Sequence, residues 1–369
     1  MRAYATNEAE NLEGGLTSPS LFLRKAQLEG LRSLALVGLS KNAGKTTCLN
    51  HLIRAWQKSG ISRPLGITSI GRDGEEEDVV SGQPKPRIFV YEGTYLATAK
   101  SSLSRCDALL DILELSGIRT SFGEVVICKA LSDGYVELAG PSQAADLLAC
   151  ERLLREQDPS LFFVVDGALS RRAQAGGGLT QALILAVGAE TSAIPEELAE
   201  ITAHALSLLN VKALDAAIAM RTNKLLVEQP DVRVLAYPQS MEAPAQTLTL
   251  PSLVGQAKAI AKVLDGKIGT LMLRGALTDT LCKGLLSEKR FQNLTMAVED
   301  GTRLFISPTV FAKLKQHCIE LAALYPLSIQ MVCLNPFKAD GSPVNRSELL
   351  RSLRAISPIP VEDFGPTPV

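Results

Sequence analysis

Apolar residues along the chain fall into short unbroken runs that alternate with longer stretches of helical period. "SLALVG" (33–38) is a continuous apolar run closing on glycine, the pattern of a parallel strand buried on both faces. "KTTCLNHLIRAWQKSG" (45–60) then reads as an amphipathic helix closed by Gly60. The alternation continues with a strand in "RPLGITSIG" (63–71) and a helical, broken period over "YEGTYLATAKSSLSRCDALLDILELSG" (91–117). Strands follow in "GEVVICKAL" (123–131) and "YVELAG" (135–140), and a helix in "AADLLACERLLREQD" (144–158). "SLFFVVDGA" (160–168) and "QALILAVGA" (181–189) are two more buried strands, and "IPEELAEITAHALSLLN" (194–210) is a helix with Pro195 in its first turn. Strands alternating with helices predict an α/β fold with a mostly parallel sheet covered by helices on both faces.

The texture changes in "PQSMEAPAQTLTLPSLVGQAK" (238–258), where three prolines mark a connector. The rhythm then resumes: a strand in "IGTLMLRGAL", a helix in "TDTLCKGLLSEK", the segments "NLTMAVEDG" and "RLFISP", a helix over "TVFAKLKQHCIELAALY" (309–325) and a strand in "SIQMVCLNPF". "SPSLFLRKAQLEGL" (18–31) reads as a short helix ahead of the first strand, and the proline-rich tail "SPIPVEDFGPTPV" as extended chain. These patterns divide the chain into an extension (1–30), a nucleotide-binding domain (31–240), a linker (241–259) and a smaller C-terminal α/β domain (260–369).

Composition narrows the class. The 369 residues are 46% apolar, enough for more than one core. Lys plus Arg is 38 and Asp plus Glu 39, without the basic excess of a dedicated nucleic-acid binder. Seven cysteines are scattered with no C-x-x-C pair, which points to reduced thiols and neither a disulfide framework nor zinc spacing. The acidic, polar start lacks a signal-peptide pattern and no run approaches a membrane span of roughly 20 apolar residues, so a cytoplasmic protein is expected.

The junction between first strand and first helix carries the chemistry. "GLSKNAGKTT" places five residues between Gly38 and Gly44, followed by Lys45, Thr46 and Thr47: a G-x5-G-K-T variant of the phosphate loop. Backbone amides around Gly38, Ser40, Asn42, Ala43 and Gly44, with the helix N-terminus, can surround an anion. Lys45 would reach the outer phosphates, and the Thr46 hydroxyl would bind Mg²⁺. The bland alternative is a helix whose first turn happens to hold Gly-Lys-Thr. It does not account for two glycines, a lysine and two threonines at one junction.

Such a loop needs a carboxylate for its metal. Asp166, at the end of "LFFVVD", is the candidate, with capping of the next segment as the alternative. Asp73 in "ITSIGRDGEEED" lies where the second strand ends, the edge at which open α/β sheets take ligands, and would join the metal shell or orient a water. The run Glu75 to Asp78 reads as a solvated face, and the surrounding glycines and prolines as a closing loop. Lys129, Asp133 and the turn Gly140-Pro141-Ser142 are open to either ligand contact or ordinary turn roles. Arg171 and Arg172 are open to phosphate contact or surface ion pairs. Asp279, Asp300 and Asn335 each follow an apolar run, so they either gather at one edge or serve their own turns. His51, His204 and His317 are dispersed, with no Ser-His-Asp arrangement.

The longer loop resembles that of the dethiobiotin synthetase group of P-loop (SIMIBI-class) proteins. Asp166-Gly167-Ala168 is similar to that group's Glu-Gly-Ala-Gly stretch, and "LILAVGAETSAIPEEL" to its next strand and loop. The ParA, MinD and nitrogenase iron proteins carry a signature lysine five residues before the loop lysine. Ser40 stands there in this chain and Lys41 is one place on, so their nucleotide-sandwich dimer is not implied. More narrowly, "GLSKNAGKTT", "GITSIGRDGE", "KPRIFVYEGT", "VELAGPS", "VVDGALSRR" and "NPFKADG" together resemble the P-loop reactivating-factor subunit that accompanies adenosylcobalamin-dependent lysine and ornithine aminomutases, over residues 31–365. That resemblance implies a Mg²⁺-dependent ATPase working with a MutS-like subunit to exchange damaged cobalamin. The wider group implies a small-molecule ligase or kinase instead, which would bring a lysine such as Lys129 to the phosphate. A nucleotide-sensing module is a third implication.

Overall fold

The computed structural model describes residues 30–40, 42–70, 87–168, 180–240, 243–263, 267–288, 291–338, 342 and 344–364. The extension 1–29, Lys41, Asp73 with its acidic loop, Arg171, Arg172 and the tail from 365 lie outside the described residues.

The larger of two main sheets has nine strands: β1 (Ser33–Gly38), β2 (Leu65–Ser69), β4 (Tyr95–Ala99), β5 (Leu110–Thr120), β6 (Gly123–Ala130), β8 (Phe162–Ala168), β9 (Ala182–Gly188), β18 (Ser328–Asn335) and β19 (Val361–Asp363). Their order is β19-β18-β9-β1-β8-β2-β4-β6-β5. Every pairing is parallel except β4 with β6 and β6 with β5. A small antiparallel ribbon, β3 (Ile88–Val90) with β7 (Gly134–Val136), is not paired with it but shares the core on one of its faces.

Alternation along β1 sends side chains to opposite faces. Leu34 and Leu36 join a core with Cys48, Leu49, Leu52, Ile53 and Trp56 of helix α1 (Lys45–Ser59). Ala35 and Val37 join a second core with α2 (Ala144–Gln157), α3 (Pro195–Leu209) and α8 (Arg346–Ile356). Both faces are therefore covered, which is why β1, β2 and β9 are buried from end to end. Trp56 illustrates the α1 face: its ring packs 4.8 Å from Phe162 and its N–H donates to the Arg63 carbonyl at 2.8 Å.

The second sheet has six strands in the order β10-β17-β15-β13-β11-β12. They are β10 (Lys212–Ala213), β11 (Val232–Pro238), β12 (Gln246–Thr249), β13 (Ile268–Leu273), β15 (Leu294–Val298) and β17 (Ile319–Ala323). β10, β17, β15 and β13 are parallel, whereas β11 is antiparallel to both its neighbours. Helices α5 (Ala257–Val263), α6 (Asp279–Leu286) and α7 (Pro308–Gln316) share one core with it, and Ile218 of α4 (Ala216–Glu228) lies in the core on its other face. Two short strands, β14 (Leu277–Thr278) and β16 (Leu304–Phe305), pair beside it. No described helix is long and apolar enough to cross a membrane.

Three differences from the sequence reading have physical causes. The helical period over 91–117 is not a helix: it holds β4, the 3-10 turn Lys100–Arg105 and β5. Its apolar residues satisfy β pairing because β6 lies between the two strands. The helix expected over 309–325 stops at Gln316, because Cys318 adopts a left-handed φ of 52° and the next residues enter β17. The expected segments and the sheets also do not coincide: β12 falls in 241–259, and β18 and β19, from the C-terminal segment, complete the larger sheet.

Candidate functional site

The chain leaves the centre of the larger sheet at Gly38 and re-enters regular structure at Lys45. Two neighbours brace the turn between them. Leu39 N–H donates to the Ala186 carbonyl of β9 at 2.9 Å, and the Ser40 and Thr191 hydroxyls share a hydrogen bond of 2.8 Å. Asn42 and Gly44 both hold left-handed angles, φ 58° and 89°. Gly38 is closely surrounded: a Cβ there would lie 3.1 Å from Lys45 Cγ and 3.2 Å from both Lys45 Cδ and Ala43 Cβ, so these neighbours would have to give by a few tenths of an ångström. The Lys45 stem thus folds back over the end of β1.

Lys45 is 6% exposed, and no hydrogen bond or ion pair with another described residue engages its ammonium. Helix α1 begins beside it with Gly44 as N-cap, no side-chain cap and no acidic residue in its first turn. Unmatched amides and the positive end of the helix dipole therefore meet a cation with no described partner, a combination suited to a multivalent anion. Thr46 and Thr47 follow, both half-buried.

Asp166 comes to the same region through strand register. It pairs with Leu36 of β1 on one side and Ser69 of β2 on the other. Leu34, Val164 and Ile67 belong to the α1 face, whereas Ala35 and Val165 belong to the other. Strict alternation therefore projects Asp166, with Leu36 and Ser69, toward the α1 face. Asp166 is buried. The Thr46 hydroxyl and a carboxylate are hard oxygen donors, the set Mg²⁺ takes alongside phosphate oxygens and water. The donor chemistry fits that ion.

Gly140 lies at the same edge. Its N–H donates to Ser69 Oγ at 3.1 Å, and a Cβ on it would be 2.1 Å from the Ser69 carbonyl oxygen. This turn leads into α2, whose N-cap Gln143 makes no side-chain cap. Three residues that motif reading did not single out as site residues contribute: Ser69, Gly188 and Thr191. Gly188 is held between the Asn335 carbonyl (3.1 Å from a would-be Cβ) and Ala43 (3.4 Å). A glycine ending a buried strand was the only local trace of it.

Other candidates lie elsewhere. Lys129 pairs with Tyr95, Tyr95 with Gly66, Gly66 with Phe163 and Phe163 with Ser33, so it shares a level with the start of β1, four strands away from it. Its ammonium sits 5.2 Å from the Tyr95 ring centroid, at the opposite end of the strands from the loop. Asp133 accepts the Glu92 N–H at 2.9 Å in a turn. Asp279 accepts from Ser307 N–H and Oγ at 2.7 and 2.8 Å beside the second sheet. Asp300 is fully buried after β15, where it accepts from the Thr302 amide and hydroxyl. Burial pushes the Asp300 carboxyl up, against the lowering effect of the Thr302 hydrogen bonds and of Arg303. Only Asn335 of the C-terminal trio reaches the loop, so the three do not gather at one edge. Among the described residues no cluster of three or more His, Cys, Asp and Glu is placed to hold a metal.

The chain is an α/β protein built on a large, mostly parallel sheet and a second mixed sheet. No family model, no curated protein and no solved structure matches it.

Proposed function

We propose that residues 38–47 bind the phosphates of ATP, with Mg²⁺ held between Thr46, Asp166 and the nucleotide, and that the protein is an ATPase. The observation that carries this reading is Lys45: a cation whose stem is packed at the end of β1, without a described partner for its ammonium, at an uncapped helix start. A bound phosphate would supply the counter-charge that this ammonium lacks among the described residues, through charge-assisted hydrogen bonds. Ser40, Asn42, Ala43, Gly44 and Thr47 would line the cup with their amides, and Gly38 would leave room for the lysine stem. Mg²⁺, when bound, would neutralise phosphate charge; Asp73 belongs to this proposal through its motif alone.

The reading extends by resemblance to a regulatory role. Slow hydrolysis would be stimulated by a protein partner, namely a cobalamin-dependent aminomutase with its MutS-like subunit. The ligase or kinase alternative loses its most specific residue, since Lys129 lies at the far end of the sheet. The test is calorimetric titration with Mg-ATP. Lys45→Ala should abolish measurable uptake while the unfolding midpoint stays near that of the parent chain; unchanged uptake would refute the site. Hydrolysis assayed with and without an aminomutase tests the partner.

A further inference from the structure

Asn335 ends β18, and only residues 324–327 separate β18 from β17 of the six-stranded sheet. Its side chain nevertheless reaches the loop after β1. Nδ2 donates to the Asn42 carbonyl at 3.2 Å, across 293 positions of sequence. Oδ1 accepts the Phe337 N–H at 3.3 Å, and the main-chain carbonyl accepts Ala189 N–H at 3.0 Å. The Asn335 Cβ rests against Gly44, 2.5 Å from where a Cβ on that glycine would stand.

A loop that offers amides to an anion must turn carbonyls outward, and a donor on one of those carbonyls fixes the peptide that carries it. All peptides described are trans, so the Asn42 carbonyl and the Ala43 N–H point in opposite directions. With the carbonyl held toward β18, the Ala43 N–H is aimed away from β18, across the loop. We infer that Asn335 is a positioning residue that locks the 42–43 peptide so that the Ala43 amide is presented to bound phosphate. The inference rests on reading the loop as a triphosphate site. Without this donor the peptide loses a restraint next to Asn42, whose left-handed φ of 58° is uncommon outside glycine although asparagine tolerates it better than most residues.

The experiment is titration calorimetry of the full chain and of Asn335→Ala and Asn335→Leu, using Mg-ATP and inorganic tripolyphosphate as separate probes. Leucine keeps the bulk against Gly44 and removes the donor to Asn42 together with the acceptor for the Phe337 N–H. One hydrogen bond's worth of positioning predicts about a tenfold loss of affinity. Both variants should show it, equally for both probes, with the unfolding midpoint retained. Unchanged affinity would overturn the inference. So would a loss confined to Asn335→Ala, which would mean packing alone, or a loss confined to Mg-ATP, which would make Asn335 a reader of the base. A parent chain that takes up neither probe removes the site itself, and this inference with it.

Discussion

Gly44 and Gly60 bracket α1 with similar backbone angles, φ 89° and ψ 18° at the first and φ 68° and ψ 18° at the second. Alanine at either position adopts a left-handed conformation at a cost of about 1–2 kcal/mol. At Gly60 nothing lies within 4 Å of the added Cβ, so the loss stops there. At Gly44 the Cβ would stand 2.5 Å from Asn335 Cβ and 3.0 Å from its Cγ, closer than carbon atoms tolerate. Asn335 must shift, which gives up its hydrogen bond to Asn42, worth about 1 kcal/mol. Relieving the overlap in a packed region adds about 1–3 kcal/mol. Gly44→Ala should therefore lose about 3–6 kcal/mol of stability, and Gly60→Ala no more than about 2 kcal/mol. Urea denaturation followed by circular dichroism, extrapolated linearly to water, measures both. Equal losses would refute the close contact between Gly44 and β18. Mg-ATP uptake should also disappear in Gly44→Ala and persist in Gly60→Ala.

Asp166→Asn should suppress ATP hydrolysis by tenfold or more, as an order-of-magnitude estimate for a lost charge contact, while nucleotide uptake changes less; a fully active variant would remove Asp166 from the metal site. Asp300 has a folded-state carboxyl raised by burial, so its protonated form favours folding. That contribution is complete below the ordinary value of 3.8 and is lost as pH rises through the raised folded value. Asn in its place should flatten stability against pH over that window, measured by denaturant midpoints from pH 4 upward. Cys318 is exposed, whereas burial pushes the Cys128 thiol up to about 11 and those of Cys150 and Cys282 up to about 12. Maleimide should label Cys318 quickly in the native protein, and Cys318→Ser should remove that rapid phase in a mass-resolved time course.

The local part of the candidate site was legible in the sequence. β1, the turn and α1 are contiguous, and their apolar run, glycines and helical period are short-range signals. Asp166 was legible because its strand is continuously apolar. The bracing residues were not, because their role exists only after strands distant in sequence have paired. Asn335 reaches Asn42 from 293 positions away, and nothing around "CLNPF" names that partner. The same limit governs sheet membership: the apolar pattern of 328–335 predicts a strand without saying which sheet takes it. The two misread helices failed differently. Residues 91–117 carry apolar spacing compatible with either period, and tertiary pairing decided it. At 317–319 no glycine or proline marks the break, and Cys318 takes a conformation that glycine usually supplies.

β18 lies beside β9, yet the whole six-stranded sheet is threaded between them in the chain. During synthesis, "ALILAVG" therefore emerges long before its second flank exists. Until residues 328–335 have left the ribosome, one side of this apolar strand offers unsatisfied amides and carbonyls to any passing chain. Premature termination anywhere in the second sheet would release a sticky fragment, and the nascent polypeptide should depend on chaperones through that interval.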